Sequence, residues 1–237
     1  MTLCLYWSPD SANLAIRIAL ETLGLPFDAI RVDRGQAEHK NDAFLKLNPQ
    51  GLLPVLTDGA AVLFETGAIL WHLADRAGRL GPLGPETTDP AQRAAALTWM
   101  FYLSNTLHAD LRLAFYTHRY VGDPASIPSV LEGLSGRIAG HCALIEAELL
   151  EGGLLGQRGT IPDIYLTVCL RWAQIYPTHG RLLPGLEQWP RLHALARIIE
   201  NSAAARKSFT AESIDPNHAL TRPQRPHLSP EEVTGTI

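Results

Sequence analysis

Three cysteines in 237 residues, Cys4, Cys142 and Cys169, are too few and too far apart for a disulfide framework, and their number is odd. They fit a reducing compartment, and no Cys-x-x-Cys pair points to thiol–disulfide exchange. Basic residues are also in short supply: 20 Lys and Arg against 24 Asp and Glu give a net charge of -4 and a pI near 6.1. No cationic field is left for a phosphate backbone, which excludes nucleic acid as a partner. Long apolar runs are missing, since none approaches the roughly 20 residues that cross a bilayer. The opening MTLCLYWSPD lacks the basic start and sustained apolar core of a signal peptide. The expected location is therefore cytoplasmic, away from membranes. The nine histidines show no metal-ligand spacing, and His141 and Cys142 are adjacent on a helical stretch and cannot converge, so no metal is expected.

Strand signals disappear after about residue 84. Before that point TLCLYW, DAIRVD and the VLTDGAAVLF hairpin, turned by Asp58-Gly59, read as strands. Between and after them ANLAIRIALETLG, with Gly24 as C-cap, DAFLKLN and TGAILWHLADRAG read as helices. The order is β-α-β, helix, β-β-α. A linker rich in Gly, Pro and Thr (GPLGPETTDP) leads to Asp89 and Pro90, an N-cap and first-turn pair that opens a long helix to Tyr120. Further helices are expected through VLEGLSGRIAGHCALIEAELL, through IYLTVCLRWA behind Thr160 and Asp163 at capping-box spacing, and as one run from Pro190 through RLHALARIIENSAAARKSF. These signals give a domain at 1–82, a linker at 83–89, an all-helical domain at 90–210 and an irregular tail with four prolines at 211–237.

Within the run NPQGLLPVLTDG, Pro54 is out of place. Leu52, Leu53, Val55 and Leu56 form the apolar interior of a short strand, but proline has no N–H for a ladder and belongs at an edge, a first position or a bulge. We expect an edge strand there, its unpaired side kept for another chain. The local alternative is that Pro54 only blunts the edge against aggregation.

Four segments in this order resemble the cytosolic glutathione transferases, over roughly residues 1 to 210. NPQGLLPVL is similar to the family's Asn-Pro-x-Gly-x-x-Pro segment with its cis proline, and FETGAILWHLAD to its Glu-Ser-x-Ala-Ile stretch, with threonine for serine. DIYLTVCLRWA resembles the Asp-x-Tyr-Leu segment that ends in Trp-Ala, and YWSPDSANLAIRIAL stands where bacterial beta-class members carry Tyr-Tyr-Ser-Pro and a catalytic cysteine. The resemblance implies an α/β N-terminal thioredoxin-like domain, an all-α C-terminal helical domain and a homodimer. It also implies glutathione as co-substrate, with its thiol activated for conjugation to a small apolar electrophile or for peroxide or disulfide reduction. The alternative is a catalytically weak binding or interaction protein that keeps the fold.

The resemblance also assigns residues. A cis bond before Pro54 turns the main chain of Leu53 outward for β-augmentation by the cysteinyl backbone of glutathione. Glu65 suits the γ-glutamyl ammonium, and Thr66 with the helix N-terminus suits its carboxylate; alone they read as a cap and a dipole charge. Gln50 stands where beta-class relatives often carry lysine and would give the glycyl carboxylate a neutral bond. His108 aligns with a histidine that faces the beta-class site, and Ala109 replaces the lysine beside it. Trp7 is either core or an aromatic wall of the site at the end of the first strand, and is expected at the wall. At the position of the beta-class cysteine stands Ala12, and Asp10 falls where serine-type classes place their serine. Ser11 is therefore the first candidate thiolate partner and Asn13 the second, with Ser8 and Tyr6 as further donors. Met100, Phe101, Leu111 and Phe115 offer an apolar wall for the electrophile.

Overall fold

The structure is a computed structural model that describes residues 2–81, 86–156, 159–177 and 182–224. Residues 83–85 of the expected linker and 225–237 of the expected tail lie outside the described residues. Leu3 and Leu5 alternate with more exposed neighbours in β1 (Leu3–Trp7), the pattern of a strand with one face on a core. It pairs in parallel with β2 (Phe27–Arg31) and antiparallel with β3 (Val55–Asp58), which turns at Asp58-Gly59 into β4 (Ala61–Phe64). The sheet order is β2-β1-β3-β4, a mixed four-stranded sheet of thioredoxin-like type. Helices α1 (Asn13–Leu23) and α3 (Thr66–Ala77) pack together on one face and bury Leu14, Ile18, Ile69 and Leu73 against Leu3 and Leu5. The short α2 (Asp42–Leu45) covers the other face, where Phe44, Val32 and Val55 form a second small cluster with Tyr6 and Leu53 at its margin.

The expected edge strand at Pro54 is not an edge: β3 lies between β1 and β4, with Tyr6 opposite Val55. Pro54 stands one residue before the ladder begins, which is how an interior strand tolerates it. The Leu53–Pro54 bond is cis.

The helical half opens at Asp89, whose carboxylate accepts from the N–H groups of Ala91 and Gln92 at the head of α4 (Pro90–Tyr102). The long helix expected to Tyr120 is interrupted. A π-helical turn at Leu103–Leu107 separates α4 from α5 (His108–Phe115), and such turns re-aim the residues that follow. Then come α6 (Ile127–Glu151), α7 (Ile161–Ile175), α8 (Pro190–Glu200) and α9 (Ala203–Ala211). The single run expected from Pro190 is split in two because Ser202 is extended and its hydroxyl caps Ala205, starting a new helix. All 15 residues of α7 are buried, and its head carries the Thr160–Asp163 capping box. One apolar cluster runs from Leu5 and Ile69 through Leu107 to Ile164 and Leu166, so the two halves share a core.

Residues 212–224 form no helix or strand, yet Ala219 and Leu220 are buried. The buried Glu200 carboxylate accepts the N–H groups of Leu220 and Thr221 at 2.7 and 3.0 Å, while Arg171 and Gln174 donate to the carbonyls of Ala219 and Leu220. Among the described residues no helix is long and apolar enough to cross a membrane.

Candidate functional site

The residues before β3 form a compact loop organised by Asn48. Its amide donates to Leu52 O at 2.8 Å and accepts from the Gln50 N–H at 3.1 Å. Gly51 is required here, because its φ is +63° and a Cβ would lie 2.8 Å from the carbonyl of His39. Pro54 is buried, and among the described residues no hydrogen bond engages the main chain of Leu53.

Facing this loop is the start of α3. Glu65 has φ +72° and ψ 119°, a backbone state rarely held by a residue with a side chain and worth about 1–3 kcal/mol of strain. Its carboxylate does not cap the helix and instead takes Gln50 Nε2 at 3.4 Å. The first N–H groups of α3 thus lack a side-chain cap, beside the buried Thr66, at the positive end of the helix dipole. An exposed carboxylate, an uncapped helix start and an open main-chain segment converge. That set complements a group carrying an ammonium, a carboxylate and an extended peptide.

The second part is the turn from β1 to α1. Asn13 is fully buried: its Nδ2 donates to Glu212 at 2.7 Å, and its Oδ1 accepts the Ser8 N–H at 2.9 Å together with the Ser11 hydroxyl. Its amide therefore lies inside the fold, engaged at both ends by protein groups, and not on the surface where its reading as a donor to a ligand would put it. Ser11 is half-buried, with its proton resting on Asn13. Ser8 is buried, and its hydroxyl accepts from Arg34 Nε at 3.1 Å. The N-cap position of α1 is Ala12, which has no side chain to cap it, and the Asn13 N–H reaches the Ser11 hydroxyl at only 3.5 Å. Asp10, with φ +47°, turns away from this surface and is bound by Arg171 Nε at 3.1 Å and by the Tyr176 phenol at 3.2 Å.

Trp7 does not join the loop at Leu53. Strand alternation sends its ring to the α1 side, 4.7 Å beneath the Arg17 guanidinium, at the margin of the main core. His108 turns inward: Nδ1 pairs with the Tyr165 phenol at 2.6 Å, and its ring lies 5.2 Å from that of Trp172. Burial, aided by Arg112, lowers its pKa to about 4, so the ring is neutral at physiological pH. Burial pushes the Tyr165 phenol's pKa up, with smaller contributions from Cys169 and from the charge of Glu65. Met100 and Leu111 are core, Phe101 faces solvent and Phe115 meets Tyr176 edge to face, so these four do not form one wall. A cavity of about 510 Å³ lies elsewhere, between Gln174, Pro184, Glu187 and Arg222. Among the described residues no group of three His, Cys, Asp or Glu could hold a metal ion.

Sequence reasoning missed the charges behind the β1–α1 turn, namely Arg17, Arg34, Arg171 and Glu212. One signal was available. Arg171 is the one charged residue in the apolar stretch IYLTVCLRWA, and a buried guanidinium requires a buried counter-charge.

Residues 1–75 match the family described as glutathione S-transferase, N-terminal domain. The chain is 32% identical over 170 residues to glutathione S-transferase GST-4.5 of Xanthomonas campestris pv. campestris, covering 71% of this chain and 81% of that protein. It is 30% identical over 171 residues to glutathione S-transferase GstA of Escherichia coli O157:H7, with the same coverage of each. A crystal structure of a glutathione transferase homologue from Sulfitobacter with bound glutathione superposes with a TM-score of 0.73 at 26% identity, over 89% of this chain and 98% of that one.

Proposed function

The chain belongs to the glutathione S-transferase family and is a glutathione transferase; from that premise we propose how its residues divide the work. Glutathione lies along the loop before β3, pairing its cysteinyl backbone with Leu53 beside Pro54. Its γ-glutamyl ammonium meets Glu65, and its α-carboxylate meets Thr66 and the uncapped start of α3. Gln50 reaches the glycyl end through a neutral bond. The observation that carries this reading is the Gln50–Glu65 contact at 3.4 Å, which brings the proline loop and the helix start together.

The thiol faces the β1–α1 turn. With Ala12 at the beta-class cysteine position, the partners for a thiolate are the Ser11 hydroxyl, which swings from Asn13 to the sulfur, and the main-chain N–H groups at the positive end of α1. Asn13 supports the turn and does not touch the sulfur. His108 stays neutral and holds Tyr165 near Glu65. The reaction is conjugation to a small apolar electrophile or reduction of a peroxide or disulfide, in the cytoplasm and without a metal. The homodimer uses the exposed Val62 of β4 and Phe101 of α4, with Leu63 and α3. Sedimentation at micromolar concentration is expected to show a species of twice 25.9 kDa.

The test is calorimetry with glutathione on Glu65→Ala and Thr66→Ala. Each removes a charge-assisted bond of about 1.5–3 kcal/mol and is expected to weaken binding roughly tenfold or more. Parental affinity in either variant refutes the γ-glutamyl assignment.

A further inference from the structure

We propose that Glu212, the residue that closes α9, is a positioning residue for the thiol site: it orients Asn13, and Asn13 fixes the strand-to-helix turn that faces the glutathione sulfur. The inference rests on the transferase reading above and deepens it. Glu212 and Asn13 are 199 positions apart in the chain, both buried, and joined by the 2.7 Å bond from Asn13 Nδ2 to Glu212 Oε1. The same oxygen takes Arg17 Nε at 3.1 Å.

A side-chain amide can sit either way round, and Glu212 decides which. An acceptor at one end requires Nδ2 there, which leaves Oδ1 facing the turn, where the Ser8 N–H and the Ser11 hydroxyl both donate to it. The opposite orientation would set the NH2 group against the Ser8 N–H, donor against donor. Glu212 thus settles the main chain of Ser8 and the hydroxyl of Ser11 without approaching the ligand.

As a structural lock alone the arrangement is a poor one. Among the described residues Glu212 Oε2 and Arg17 Nη2 are buried without a hydrogen-bond partner, and an apolar pair of similar volume would fill this space without that cost. Burial pushes the Glu212 pKa up to about 8, against Arg17 and Asn13 and together with Asp10, which is itself held by Arg171 and Tyr176. A carboxyl kept under these conditions fits a role in orienting the turn.

The experiment uses the full chain and four variants: Glu212→Gln, Glu212→Leu, Asn13→Ala and the Glu212→Leu/Asn13→Ala double. Conjugation kinetics with a chloronitrobenzene are measured beside the thiolate absorbance titration of bound glutathione. Glu212→Leu is expected to lower kcat about tenfold and raise the bound thiol's pKa by about one, with KM for glutathione within about twofold. Glu212→Gln, whose carbonyl still accepts from Asn13, recovers most of the loss. In the Asn13→Ala background Glu212→Leu has no further effect, the non-additivity of two residues acting in series. Additive effects overturn the proposal, as does a loss confined to thermal stability or an equal loss in the Gln and Leu variants. Should Glu212→Leu fail to fold, Asn13→Ala alone must reproduce the kcat loss at unchanged KM, and parental kcat and titration there overturn the proposal. A parent that binds glutathione without turnover refutes the transferase reading instead, and the titration alone then decides the role of Glu212.

Discussion

Replacing Asp10 with alanine is expected to be among the most damaging single changes in the molecule, although Asp10 sits in a loop. Arg171 Nε meets Asp10 at 3.1 Å with both side chains 1% exposed, and the Tyr176 phenol shares the same carboxylate at 3.2 Å. In Asp10→Ala the guanidinium keeps only its bond to the Ala219 carbonyl, and the phenol keeps none of the hydrogen bonds it has now. An uncompensated buried charge of this kind costs about 3–5 kcal/mol. For a chain of this size that lowers Tm by about 6–20 °C. Asp10→Gly is expected to lose about 1 kcal/mol less than Asp10→Ala, because glycine relieves the φ of +47° that alanine would keep. Asp10→Ala/Arg171→Met removes both charges and is expected to recover half or more of the loss, since the attraction between such groups is largely offset by their desolvation. Urea titration followed by tryptophan fluorescence of the parent, these three variants and the Arg171→Met single gives the stabilities to compare. The reasoning fails if Asp10→Ala lies within about 1 kcal/mol of the parent, or if the double variant equals the sum of its singles.

Acid should act through His108: with a native pKa of about 4 against about 6.5 in the unfolded chain, only the unfolded state takes up the proton between those values. Stability should therefore fall as pH drops through that window, and less so in His108→Gln; parallel urea midpoints for the two would refute this. Gly51→Ala should disturb the loop before β3, costing about 2 kcal/mol and weakening glutathione, because its Cβ meets the His39 carbonyl at 2.8 Å. Parental affinity by calorimetry would remove that loop from the site. Ser202→Ala should cost about 1 kcal/mol as a lost cap between α8 and α9, whereas alanine inside a continuous helix would be neutral or stabilising in a thermal melt.

The elements were legible where local chemistry decides them. Gly24, Asp58-Gly59, Asp89-Pro90 and the Thr160–Asp163 box act within a few residues of themselves, and each stands at the end of an element or in its turn. The interior position of β3 was not legible, since it depends on which strand lies on its far side, and Pro54 alone pointed to an edge. The break at Ser202 was hidden because the three alanines after it and Glu200 before it keep helical propensity high. At the candidate site, Glu65, Thr66 and Gln50 could be named from one stretch of chain. The β1–α1 turn could not be understood that way. Asn13 read as a donor to a thiolate and Asp10 as a residue at the serine position of other classes until Glu212 and Arg171, far along the sequence, were placed behind them. Trp7 was ambiguous for a simpler reason: strand alternation offers two faces, and Arg17 was needed to choose between them.

The bond between Asn13 and Glu212 also sets an order of assembly. A ribosome adds roughly 5–20 residues each second, so about 10–40 s separate the synthesis of Asn13 from that of Glu212, 199 positions later. During that interval the first strand and helix can pair with their neighbours, but Asp10 has no guanidinium until Arg171 is made, and Asn13 has no carboxyl to turn toward until Glu212 follows. The β1–α1 turn is among the earliest parts of the protein to be made and among the last to be finished, and a nascent chain stopped before residue 212 would carry that turn without the carboxyl that holds Asn13.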